Sequence, residues 1–425
     1  MNLTSFRRFT AFSILFTRSD LSLTIVLVLL LIAASTVQAQ TYTVLHAFTG
    51  GLDGGIPYAG LVMDRAGNLY GTASAGGGST SCTGGCGTVF KLSQHGSSWV
   101  FTTLYAFQGG TDGAAPLASL LIAPDGSLYG TTYAGGGGTC FTDFGHGCGT
   151  AFRLKPAPTG CKAVLCPWIE TVLYRFSGGA DGANPNMGPL VMDATGNLYG
   201  TTLAGGSSSE GTVFELTSTG GLWTETVLHS FAGADGVFPQ SGAVFDAAGN
   251  LYGTAESVNG TGDGGTVYEL SPSAQGWNLT VLHTFDGSLG DPVGGLFIDA
   301  QGKLYGTTFY FTGSYGWVYE LSPSGHGWQF SQLVSLPFSG SLTGLASDAA
   351  GSLYGVQPLS LNDGDVFKMI YSGGSWTLNQ LHDFDYRDGS APQGVPLVDT
   401  QNNVYGTTVG GGSGVNGVVF RISQP

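Results

Sequence analysis

Residues 189–231 read PLVMDATGNLYGTTLAGGSSSEGTVFELTSTGGLWTETVLHSF. Four runs in this stretch, 189–193, 197–202, 211–216 and 223–231, are rich in β-branched and aromatic side chains. Each is bounded by Gly, Asp, Asn or Ser, the composition of short strands joined by tight turns. The order strand, turn, strand, Gly-rich loop, strand, turn, strand predicts a four-stranded antiparallel meander, whose strands are named A, B, C and D.

The same unit recurs along the chain. The tetrapeptide Leu-Tyr-Gly-Thr, or a close variant, begins at Leu69, Leu128, Leu198, Leu251, Leu304, Leu353 and Val404. Self-similarity at this period marks a repeat architecture. One four-stranded sheet cannot bury two apolar faces, whereas several packed face to face around an axis can. Because strand D precedes strand A of the next unit, the seventh unit ends at 417–422 (GVVFRI) without a D strand of its own. A spare D-like strand, 42–48 (YTVLHAF), stands at the other end of the repeats. Pairing the two closes the circle and removes the exposed edges of an open array. The expectation is an all-β, seven-bladed β-propeller of four-stranded antiparallel blades, closed by the N-terminal strand and occupying residues 40–425 as one domain. The alternative, a β-solenoid, requires neither the offset nor the matched count.

Composition points the same way. With 73 Gly among 425 residues and only 10% charged side chains, long regular helices are excluded. Hydrophobic residues at 42% and aromatics at 12% exclude a chain that stays unfolded. The formal charge of −15 with only 13 Lys and Arg argues against nucleic acid and anionic membrane surfaces. Residues 1–39 differ from the rest: Arg7, Arg8 and Arg18 flank an apolar run at 21–34, and Val37-Gln38-Ala39 follows. This is the pattern of a secretory signal peptide, cleaved after Ala39. The run is shorter than the roughly 20 residues needed to cross a bilayer, with an uncleaved signal anchor as the alternative. Loss of Arg7, Arg8, Arg18 and Asp20 takes the charge from −15 to −17. A monomer is expected, secreted or periplasmic, with no membrane insertion after cleavage.

The succession LHxF, DGxxP, a strand ending in Asp, GNLYGTT and GTVFEL resembles the tandem repeat of the GloVer-containing secreted bacterial proteins. The likeness spans essentially the whole mature chain. It implies an exported propeller and no particular chemistry, since that group has no established activity.

In such a ring the D-to-A and B-to-C loops share one face, and variable loops on a rigid scaffold are where binding usually sits. Asp53, Asp112, Asp181, Asp235 and Asp388 open the DGxxP loops and are read as turn caps. The competing reading is a ring of hard oxygen ligands for Ca2+. His46, His229, His283 and His382 fill the second position of LHxF, where Tyr105 and Tyr174 stand elsewhere. That interchange suits a packed strand residue better than a metal ligand or base. His95, His146 and His326 form no ligand spacing. Unit five carries a B-to-C loop unlike its counterparts, with Tyr310, Phe311, Tyr315 and Trp317 as ligand-binding candidates beside Phe309. Aromatic faces suit sugar rings or apolar peptide side chains. The competing reading puts Phe309 and Trp317 at strand ends packed between blades.

Six cysteines in an exported chain are read as disulfides, and proximity pairs Cys82 with Cys86, Cys140 with Cys148 and Cys161 with Cys166. No GxSxG elbow, HExxH helix or phosphate loop is present. Glu210, Glu256 and Asp263 lie in variable loops, where nothing in the sequence selects a glycosidase-type pair. The sequence therefore points to a binding or scaffold module for a glycan or protein ligand, with no cofactor, metal or nucleic acid. The alternative is an extracellular enzyme, a polysaccharide lyase or hydrolase-like protein, using the central depression.

Overall fold

A computed structural model describes residues 40–156, 168–257, 264–310, 315–337, 343–358 and 363–424. The expected signal peptide lies outside them. By its contacts Thr41–Ser423 is one compact unit. It contains seven antiparallel blades ordered A-B-C-D, the seventh with an additional short strand, Ser390–Pro392, and a two-stranded hairpin of Phe141–Thr142 with Gly145–His146 in the B-to-C loop of blade two. In the third blade strands A to D are Val191–Met192, Leu198–Thr202, Thr212–Thr219 and Leu222–Ser230. Ring closure follows the strand count: Thr41–Ala47 pairs antiparallel with Val418–Ser423, from Thr41 opposite Ser423 to Ala47 opposite Val418.

Each letter of the Leu-Tyr-Gly-Thr tetrapeptide has a separate task. Leu198 is fully buried. In every blade but the second, which has Ala123 there, the hydroxyl of the Tyr donates to the Asp that ends strand A, at 3.0 Å for Tyr70 to Asp64 and 2.9 Å for Tyr354 to Asp348. That Asp also organises the A-to-B turn, with Asp193 accepting the backbone N–H groups of Thr195 and Asn197 at 2.9 Å. The Tyr ring meets the Trp of the next blade edge-on, as in Tyr199 with Trp277 and Tyr252 with Trp328. The glycine is required by its neighbours. A Cβ on Gly200 would lie 2.7 Å from Cζ of Phe214 in strand C and 2.8 Å from Cδ2 of Leu190 in strand A. Finally, the Thr hydroxyl crosses to the next blade: Thr201 donates to Ser241 O at 2.9 Å and Thr407 to Ala59 O at 2.8 Å.

The Phe of LHxF completes the interface. Phe107 packs edge-on against Phe152 of the following blade, Phe176 against Phe214, and Phe231 against Tyr268. Phe48 does the same to Phe90, across the junction of blades seven and one. The hydrophobic core is accordingly divided into seven clusters, each drawn from two adjacent blades.

Two details depart from a regular meander. Strand A is only two residues long in blades one to six, because near the axis its entry is made of Gly and of small or Pro residues. Strand D bulges at the Leu of LHxF in every blade. In blade one, for example, Val89 faces Tyr105 and Phe90 faces Thr103, which leaves Leu104 without a partner. Such a bulge bends and twists a strand, and here it re-aims the next residue, His or Tyr in six blades and Val334 in blade five. Blade three carries one extra residue at the entry to strand A, between Pro185 and Asp193. The Thr131 hydroxyl of blade two, which would donate there, has no partner, and blade six has Val356 in its place.

Gly200→Ala is expected to destabilise the fold by about 1–3 kcal/mol through overpacking, read from the urea midpoint. Removing residues 41–47 should expose the edge of Val418–Ser423, lowering stability by several kcal/mol and producing aggregates in light scattering. A truncated protein that melts like the parent and stays monomeric contradicts closure through this strand.

Candidate functional site

The loops joining D to A and B to C lie at one end of the blades. Several are pinned by backbone hydrogen bonds between units. The residue before the proline of DGxxP adopts positive φ in five units, at Ile56, Ala115, Asn184, Phe238 and Ala391. Its N–H donates to the residue before strand C of the preceding blade, as in Ile56 to Asn416 O at 2.9 Å and Asn184 to Cys148 O at 2.8 Å. Two disulfides, Cys82–Cys86 and Cys140–Cys148, close the B-to-C loops of blades one and two. Gly178 of the neighbouring D-to-A loop packs so tightly on the second bridge that a Cβ there would lie 2.7 Å from both sulfurs. The pair Cys161 and Cys166 lies outside the described residues.

On this face Tyr315 stands 63% exposed, while Tyr310 and Trp317 are half-buried and Phe309 is buried. Phe311 lies outside the described residues. Other loops of the same face expose Leu52, Phe141, Tyr386 and Val415. Tyr386 and Val415 hold φ of 67° and 55°, conformations that a bulky or β-branched residue adopts only under strain. Of the variable-loop carboxylates, Glu256 is half-buried and accepts Nε2 of Gln240, whose Oε1 in turn accepts Nδ2 of Asn186 at 3.0 Å. Burial holds the Glu256 carboxyl above its ordinary value despite the Gln240 bond. Glu210 contributes a backbone carbonyl to the loop frame, and Asp263 lies outside the described residues. His95, His146 and His326 are exposed and scattered.

The five DGxxP carboxylates each bond to the second residue of LHxF in their own unit. His46 Nε2 lies 3.1 Å from Asp53 Oδ2, His229 Nε2 2.6 Å from Asp235, and His382 Nε2 2.8 Å from Asp388. Tyr105 and Tyr174 donate to Asp112 and Asp181 at 3.0 Å. Each Asp also accepts a backbone N–H from three or four residues earlier, as in Thr49 to Asp53 at 2.9 Å. Burial works against ionisation of Asp53, but its bonds from Thr49 and His46 outweigh it and hold the carboxyl below its ordinary value. Burial lowers His46, partly offset by Asp53. Among the described residues no three His, Cys, Asp or Glu side chains converge as metal ligands.

The sequence reading missed what the second LHxF residue touches on the next blade. His46 stacks on Phe101 at 3.9 Å, His283 on Phe330 at 4.1 Å, and His382 on Tyr42 at 3.9 Å. Where the residue is Tyr105 or Tyr174, the facing position holds Glu170 or Glu225 instead. Burial, then the charge of Asp112 or Asp181, pushes each glutamate up to about 7, with Arg175 partly offsetting the shift of Glu170. Asp365, where most units have Thr, is likewise raised to about 7 by burial and by Asp383 across the strand pair. A carboxyl raised in the folded state favours folding while protonated, and that advantage is lost as pH climbs from about 4.5 to about 7. Glu170→Gln with Glu225→Gln is therefore expected to raise the melting temperature by on the order of 2 °C at pH 8 and to leave it unchanged at pH 4.5, in scanning calorimetry.

Among solved structures, a fungal alcohol oxidase of the AA5 family in complex with copper is similar at TM-score 0.56 and 14% identity, over 91% of this chain and 77% of that one. A protein from Lactobacillus plantarum is similar at TM-score 0.50 and 15% identity, over 76% and 84%. The polysaccharide lyase Uly1 gives 0.49 and 11%, over 87% and 90%. At these identities the likeness is one of fold alone. No curated protein matches the sequence. The Gloeobacter/Verrucomicrobia repeat matches residues 32–144, 138–357 and 259–425, nearly the whole chain, and the chain belongs to that family.

Proposed function

We propose that this propeller is an exported binding module whose ligand, a glycan or a protein, docks on the face of the D-to-A and B-to-C loops. The observation that carries the reading is Tyr315, 63% exposed at the start of a strand whose backbone pairs along its length with strand D, in the same loop region of the sequence as the half-buried Tyr310 and Trp317. A rigid aromatic side chain offers large contact area at small entropic cost. Exposed Leu52, Phe141, Tyr386 and Val415 on loops of the same face extend the apolar surface. Two disulfides and the signal-peptide pattern support a place outside the cytoplasm. Among the described residues no helix is long and apolar enough to cross a membrane.

The test is retention of glycan and cell-envelope fractions on the immobilised mature protein, with analysis of the eluate. Retention without turnover supports a binding module. New reducing ends or unsaturated sugars would replace it with the polysaccharide-degrading enzyme. Substituting Tyr310, Phe311 and Tyr315 together by Ser should weaken retention by about tenfold or more with an unchanged melting temperature. A collapse in melting temperature would instead assign these rings to the fold.

A further inference from the structure

The seven A segments meet around a cavity of about 420 Å³ on the propeller axis, within the size range of small-molecule sites. Neighbouring segments approach backbone to backbone. A Cβ on Gly394 would lie 2.3 Å from Gly60 N, one on Gly188 2.2 Å from Gly242 N, and one on Gly344 2.6 Å from Gly295 O. These glycines fix the spacing of the wall, and Leu117, Leu121, Met187, Val191, Val244 and Leu397 form much of its surface.

The wall is mostly apolar; its polar side chains are Tyr58, Ser119, Ser241, Thr343 and Gln393, and of these Gln393 Oε1 is buried without a hydrogen-bond partner, an isolated acceptor in a carbon surface. Carbonyl groups of the A segments are already engaged by threonine hydroxyls of adjoining blades: Ala59 O by Thr407, Ala118 O by Thr72, Ser241 O by Thr201, Gly294 O by Thr254 and Thr343 O by Thr307. The hydroxyl of Ser241, itself on the wall, is paired with Thr254 at 2.7 Å. A water molecule needs two to four polar partners, and an apolar cavity that lacks them favours apolar occupants. Among the described lining residues there is no Asp, Glu, His, Lys or Arg, so neither an anion nor a cation finds a counter-charge. Burying an unpaired charge there would be costly.

We propose that the axial cavity is a binding site for an uncharged, apolar small molecule with the character of an alkyl chain. It is separate from the loop-face site, and its test does not depend on that reading. The probe is 1-aminoanthracene, neutral at pH 7, titrated into the mature protein by fluorescence. Saturable binding should be displaced by 1-decanol at about tenfold or more lower concentration than by decanoate or decyltrimethylammonium. Filling the cavity with Val191→Trp and Val244→Trp should weaken dye binding by about tenfold or more, with circular dichroism confirming the fold. Should that variant fail to fold, an electron-density peak on the axis of xenon-pressurised native crystals provides the same readout, and an empty axis overturns the proposal. Tyr315→Ser should leave dye binding intact. The proposal also fails if native protein shows no saturable binding, if the filled and folded variant retains its affinity, if the charged competitors match decanol, or if Tyr315→Ser abolishes the signal.

Discussion

An aromatic ring lying on a glycine is the contact on which this ring of blades depends. Gly200 of strand B has no side chain, so Phe214 of strand C can cover its Cα, and that placement presents the ring to Phe176 of the blade before. The arrangement repeats at Gly253 with Tyr268 and at Gly406 with Phe420. Every blade therefore carries a flat aromatic surface at a fixed depth, and the preceding blade supplies the aromatic edge that meets it, except at blade six, where Leu336 takes that place against Phe367. Edge-to-face pairs contribute beyond their buried area. More importantly, each blade lacks a complete core until its neighbours are present, so the ring is stable only when closed. This is why a strand from the N-terminal end of the repeats is used to complete the last blade.

The same interfaces constrain the loop face. The residue before each DGxxP proline is held at positive φ, against the usual preference of a residue preceding proline. Its N–H and C=O are both used, one to the preceding blade and one within its own, as Asn184 shows with Cys148 O and Leu203 N. Interblade packing thus supports a strained backbone that a free loop would relax. The Asp of the motif fixes the loop further by binding the His or Tyr that lies between blades. Loop variation is consequently confined to segments outside this frame, notably the B-to-C loops of units one, two and five.

Much of this was legible in the sequence because the unit is written seven times. Blade number, strand order, closure by residues 42–48 and the local pairs Cys82–Cys86 and Cys140–Cys148 follow from spacing alone. What was not legible depends on contacts between units about fifty residues apart. The bulge at the Leu of LHxF leaves the alternation of strand D apparently regular. The choice between His and Tyr after that Leu has its counterpart two residues beyond the Trp of the next unit: Phe101 for His46, Glu170 for Tyr105 and Glu225 for Tyr174. That correspondence was available in the sequence, but only to a comparison across successive units. In the unit-five loop, Phe309 and Tyr315 look alike as letters, yet one is buried and the other exposed. The difference comes from strand register, since Phe309 bridges to Asp291.

The distribution of polar groups separates the two ends of the problem. Around the axis, threonine hydroxyls from strand B occupy carbonyls of strand A, so forming the ring uses up polarity that would otherwise wet its centre. In the D-to-A and B-to-C loops, Glu256, Gln240 and Asn186 bond to one another. The carboxyls raised to about 7, Glu170, Glu225 and Asp365, lie in strands C and D. Their raised protonation follows first from burial and then from a like charge brought close by packing, Asp112, Asp181 or Asp383. The axial wall is therefore mostly carbon and engaged backbone with a few polar side chains, whereas the loop face exposes Tyr315, Phe141 and Leu52. The two surfaces suit different chemistry because one repeated tetrapeptide builds the first and leaves the second free to vary.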